Sequence, residues 1–160
     1  MNIFVLDTDP KIAAKYHCDR HMKMITESAQ MLSTAHYIVG IKPDVDISKI
    51  YKQTHVNHPC SKWVRESISN YNWVIELALA IGNENEARYH KIHASLAVIN
   101  YLAENKPELP NIGLTEFALC MPDQFKINND PVLSYRNFYI KDKSRFAKWK
   151  LGNIPDWYKI

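Results

Sequence analysis

A chain of 160 residues with 46% hydrophobic and 23% charged residues has the size and make-up of one ordinary globular domain, which excludes a disordered or low-complexity protein. No apolar run approaches the roughly 20 residues that span a bilayer, and the first residues lack a signal-peptide layout, so a soluble cytoplasmic protein is expected. The net charge of +3 is unevenly spread: residues 132–160 carry seven Lys/Arg against two acids, whereas residues 1–131 carry 13 against 15. That asymmetry suits an anionic partner, either DNA or a nucleotide, although a solvated basic face on the last helix accounts for the same charges. Cys18, Cys60 and Cys120 are odd in number and distant in sequence, which fits reduced thiols.

Taken in order, residues 2–6 form a short apolar run that predicts a brief strand or extended segment. Asp7, Thr8 and Asp9 are N-cap residues and Pro10 suits the first helical position, so a long helix is predicted from Asp9 to about Tyr37, ended by Gly40 and Pro43. Residues 40–58 read as loop with one helical turn near Ile47 to Tyr51. A second helix is predicted from Pro59 to Gly82, a third from about Asn83 to Leu102, and a fourth from Pro131 onward through Phe138 and Phe146. Residues 106–130 read as a loop covering the core. The fold class is therefore mainly α: a compact bundle of four or five helices in a single domain spanning residues 1–160.

Three constellations could carry chemistry. On a continuous first helix His17, His21, Met24 and Ser28 would form one row, with Arg20, Lys23 and Glu27 in the next. His17 and His21 have the spacing at which two imidazoles share a metal, and His36, His55, His58, His90 and His93 could complete it. Hydrogen-bonded histidines are nevertheless the expected reading, with no metal or cofactor implied. Second, His58, Cys60 and Arg65 surround a helix start, a place suited to phosphate, with Cys60 expected to be a small buried residue. Third, Arg136, Tyr139, Lys143, Lys148 and Trp149 interleave cations with aromatic rings, which a polyanion carrying planar bases requires. The alternative is inward packing of the rings. With four glycines and no glycine-rich phosphate loop, Walker or Rossmann nucleotide binding is excluded.

The segments LDTDP (6–10), HCDRH (17–21), HPCSKWVRES (58–67), RYHKIH (88–93), YRNFYIKDK (135–143) and PDWY (155–158) together resemble a small family of tailed, T4-like bacteriophages. Its helical layout is distantly similar to the phage pyrimidine-dimer DNA glycosylase of the endonuclease V type. That resemblance implies an all-α enzyme using an amine nucleophile and a carboxylate. By analogy Glu27 is the carboxylate, and His17, Arg20, His21 and Lys23 line the phosphate-facing side. Asn2 is too large for efficient removal of Met1, and an apolar segment follows it, so Lys23 is the expected amine. The leading expectation is a DNA N-glycosylase with a possible lyase step, acting on a pyrimidine base and holding phosphates with Arg136, Lys143 and Lys148. The alternatives are a nucleotide or DNA-base modification transferase with His17 or His21 as acid or base, and a non-catalytic protein that binds nucleic acid or a host factor.

Overall fold

The structure is a computed structural model, and it describes residues 1–159. It is mainly helical: α1 (Pro10–Tyr16), α2 (Met24–Val39), α3 (Pro59–Val64), α4 (Ile68–Tyr89), α5 (Leu96–Glu104) and α6 (Pro131–Phe138), with short 3-10 turns between them. The described residues contain no strand, only an isolated bridge between Ile127 and Asp130. No helix is long and apolar enough to cross a membrane.

Helix α4 is the hub, packing against α1, α2, α3 and α5. Its buried face carries Tyr71, Val74, Ile75, Leu77, Ala78 and Ile81. Ser67 starts it by accepting the Asn70 N–H at 3.1 Å. Gly82 does not stop it, contrary to expectation. A Cβ there would come within 2.6 Å of Leu96 Cδ2, so the glycine lets α5 approach. The helix ends at His90, which takes the left-handed conformation with φ 55°.

The predicted first helix is likewise divided. Asp9 caps α1, accepting Lys11 N–H at 2.8 Å, and Pro10 follows at the first position as expected. The helix then breaks at His17, whose backbone turns extended. The cause is the buried Arg88 of α4, whose guanidinium takes the carbonyls of His17 (2.8 Å) and Lys15 (3.0 Å). Asp19 and Glu84 complete its shell at 3.2 and 2.9 Å. The chain resumes as a 3-10 turn, Asp19–Lys23, before α2. The continuous histidine row therefore does not exist, because three backbone elements replace one helix.

The segment 2–6 is buried and irregular, with a turn at Phe4, and threads the core without a sheet partner. Asn2 fixes it: its Oδ1 accepts the Ile3 and Phe4 N–H groups at 2.8 and 3.2 Å, and its Nδ2 donates to the Cys120 carbonyl at 2.8 Å. Asp130 caps α6 as predicted, accepting Leu133 N–H at 2.9 Å. That helix passes into a π-helical turn, Tyr139–Lys143, instead of continuing to Phe146.

Candidate functional site

The N-terminal segment, the 3-10 turn, the first turn of α2 and the segment after α6 meet around a half-open cavity of about 340 Å³. Arg20, His21, Lys23 and Glu27 line it together with Lys143, which is distant from them in sequence. Met1, Asn2, Phe4, Met24, Cys120, Phe138, Arg145 and Phe146 complete the wall. The basic C-terminal segment and the polar set of the N-terminal half thus share one pocket.

Glu27 is the one carboxylate in this lining. Its Oε2 accepts the Asn2 N–H at 3.0 Å and lies 3.5 Å from the Met1 amine. Four cationic side chains share the lining with it. Arg20 lies over the Phe146 ring with its guanidinium carbon 4.7 Å from the centroid, and Lys143 lies 4.3 Å from the Phe138 centroid while pairing with Asp142 at 2.8 Å. Arg145 and Lys23 are exposed.

Phe4 forms the floor. Its φ of 40° is unusual for an aromatic residue and costs on the order of 1–3 kcal/mol. The strain is held by the two bonds from Asn2 and by the turn closed by Leu6 N–H on the Phe4 carbonyl at 2.8 Å. In this position the ring stacks on His21, centroids 4.3 Å apart.

His21 is a fixed, neutral group. Burial first, then the charges of His17, Lys143, Lys23 and Arg20, push its imidazole down to about 2. Tyr139 sits behind it, with its hydroxyl in a short hydrogen bond to His21 Nδ1. That hydroxyl also accepts the Cys18 N–H at 3.4 Å and lies 3.8 Å from Cys18 Sγ, so it ties the His21 ring to the start of the 3-10 turn.

Several expected contacts lie elsewhere. His17 is fully buried behind His21, with Nδ1 at 2.8 Å from the Ala13 carbonyl, and burial lowers it to about 4. Tyr139 is fully buried and offers no face to a nucleic acid; it orients His21. Trp149 is also buried, donating to the Tyr16 carbonyl at 3.1 Å, so both rings pack inward. Arg136 is spent on the Leu6 carbonyl (2.9 Å) and Asp7 (3.2 Å), bracing the N-terminal segment. Arg65 donates to the Val56 carbonyl at 2.8 Å, which closes the loop before α3. Lys148 is exposed but outside the cavity. His58 caps α3, its Nδ1 accepting the Cys60 N–H at 3.2 Å, and α3 has only 6 residues.

His17 and His21 do not gather a third ligand. Among the described residues, His58, Cys60 and Cys120 are the three metal-capable donors that converge, all within 4.8 Å of one another. Cys60 Sγ donates to Cys120 Sγ at 2.8 Å. That bond, and then burial, holds the Cys60 thiol well above its usual range, while the same bond lowers Cys120 against the opposing effect of burial.

Sequence reasoning passed over Met1, Asn2, Cys120 and Arg145 as wall residues. Arg145 could have been found from its place in the basic segment. The other three reach the pocket through long-range packing that no local pattern encodes. No protein-family model, curated protein or solved structure matches the chain.

Proposed function

We propose that this pocket acts on a pyrimidine base in DNA, most concretely as an N-glycosylase with an associated lyase step. The observation that carries the reading is the convergence of one carboxylate, Glu27, with Arg20, Lys23, Lys143 and Arg145 between the rings of Phe4, Phe138 and Phe146. Cations suit phosphate, aromatic faces suit an extruded base, and a carboxylate suits the positive charge that develops at the sugar. A cavity of about 340 Å³ is at the small end of ligand sites, which suits a single flipped nucleotide. Exposed Lys141, Lys148 and Lys150 continue the basic surface outside the cavity, which favours a polymer over a free nucleotide.

In this mechanism an amine attacks the sugar C1′, and the glycosidic C–N bond breaks as the base departs with its electron pair and takes up a proton. The amine loses a proton, and ring opening gives an imine that permits strand cleavage. Glu27 stabilises the oxocarbenium-like transition state. Lys23, Lys143 and Met1 all line the pocket with Glu27, and the Met1 amine lies 3.5 Å from its carboxylate. His21 contributes a neutral imidazole and no imidazolium.

The test is incubation with labelled oligonucleotides bearing damaged or modified pyrimidines, with borohydride present. A trapped protein–DNA adduct supports the proposal, and peptide mapping assigns the amine. Absence of any adduct, together with no strand cleavage after alkali, rejects it.

A transferase acting on a free nucleotide is the second reading, favoured by the mononucleotide-sized cavity. It predicts that nucleotides displace DNA. This reading uses His17 or His21 as acid or base, but His17 is buried behind His21, and His21, held neutral, lacks the proton of a general acid.

A further inference from the structure

We propose that His58, Cys60 and Cys120 form a binding site for a thiophilic divalent cation, of which zinc is the natural occupant, at the edge of the pocket. The three donors come from two stretches of chain 60 residues apart, yet their ligating atoms all lie within 4.8 Å of one another. Soft thiolates with an imidazole select zinc over magnesium or calcium, which require oxygen ligands.

The donors are held in place by their surroundings. Cys60 is fully buried in the first turn of α3, behind Pro59. Cys120 is fixed from both sides of its backbone: its N–H donates to the Tyr135 hydroxyl at 3.2 Å, and its carbonyl accepts from Asn2 Nδ2 at 2.8 Å. His58 Nδ1 is unprotonated, as a metal ligand must be, and accepts the Cys60 N–H at 3.2 Å; ligation through Nδ1 exchanges that N–H for the cation.

Two thiolates on a tetrahedral zinc, with bonds of about 2.3 Å, stand roughly 3.8 Å apart. The observed sulfur separation of 2.8 Å therefore widens by about 1 Å on binding. Cys120, on the loop side, is the half-buried partner that can move. Binding replaces the two thiol protons, which are released to solvent, and gives a neutral three-ligand unit.

Three protein ligands leave a fourth position open, the pattern of a catalytic and not a structural zinc. Cys120 also lines the pocket that contains Glu27, so the cavity gives the cation its route in. A zinc ion there would supply an activated water molecule to that pocket. This inference does not rest on the glycosylase reading, because its readout is spectroscopic and needs no DNA.

The experiment is titration of the reduced, metal-stripped full chain with cobalt(II), then displacement by zinc. Binding of one cobalt per chain, with intense tetrahedral d–d bands and a near-ultraviolet thiolate-to-cobalt transition, is the expected result. Cys120→Ser and His58→Ala should each weaken cobalt binding by more than about 100-fold, since even loss of a supporting outer contact costs 10–100-fold. Cys18→Ser should leave the spectrum unchanged. Cys120 and His58 are only partly buried, and circular dichroism verifies that their variants fold. A folded wild-type chain that gives no thiolate-to-cobalt band overturns the proposal, as does a spectrum that survives both Cys120→Ser and His58→Ala.

Discussion

The Glu27 carboxylate accepts the Asn2 N–H at 3.0 Å, which ties the first turn of α2 to the N-terminal segment and fixes the carboxylate inside a ring of cations. Replacement by glutamine keeps an acceptor for that N–H but removes the charge. Glu27→Gln is expected to lower turnover on a damaged-base oligonucleotide by on the order of 100-fold. DNA binding should be retained or tightened, because the variant removes the one anion among the pocket wall's side chains. Single-turnover kinetics and anisotropy binding on the same preparation separate the two effects.

Arg88 is the buried knot between α1, the 3-10 turn and α4. Truncation leaves Asp19, Glu84 and two carbonyls without their common donor. Arg88→Met is therefore expected to destabilise the fold by roughly 3–5 kcal/mol, even though methionine fills much of the volume. Urea unfolding followed by tryptophan fluorescence measures this directly. A loss within experimental error of zero would show that water takes over all four contacts.

Stability should fall on mild acidification. His17 and His36 are each lowered to about 4 by burial, and His21 to about 2, against an ordinary value of 6.5. The unfolded chain thus binds more protons than the folded one below pH 6.5. The contribution of these histidines is fully present above that pH and is lost as pH falls toward 4. For the fully buried His17 alone the loss is roughly 3 kcal/mol. Urea midpoints should drop between pH 7.5 and pH 5, and His17→Asn should flatten that dependence. Equal midpoints at the two pH values would contradict the assignment.

Local chemistry was legible where side chains and their targets are neighbours in sequence. Asp9-Pro10 and Asp130-Pro131 start helices as their residue types require. The helical character of the chain and the loop before α3 were also readable from periodicity and punctuation. The break at His17 was not, because its cause is Arg88, 71 residues away. Gly82 was misread as a terminator because its role, contact with Leu96, is tertiary. For the pocket, residue type identified Arg20, His21, Lys23, Glu27 and Lys143, but composition could not tell cations that face a cavity from Arg136, which braces a backbone. Tyr139 and Trp149 carry the same aromatic–basic signature as a nucleic-acid face, and burial alone distinguishes them.

The claim that the Arg20–Lys143 side of the pocket holds phosphate is tested most directly by DNA binding across a salt series. Anisotropy of labelled single-stranded and duplex DNA should show log Kd rising linearly with log salt for the wild-type chain. In the Arg20→Gln, Lys143→Gln double variant the slope should fall by roughly 1.5, at 0.7 to 0.9 per lost phosphate contact, with free nucleotides failing to displace the polymer. Identical slopes in the two proteins, or no salt-sensitive binding by wild type, would contradict the account.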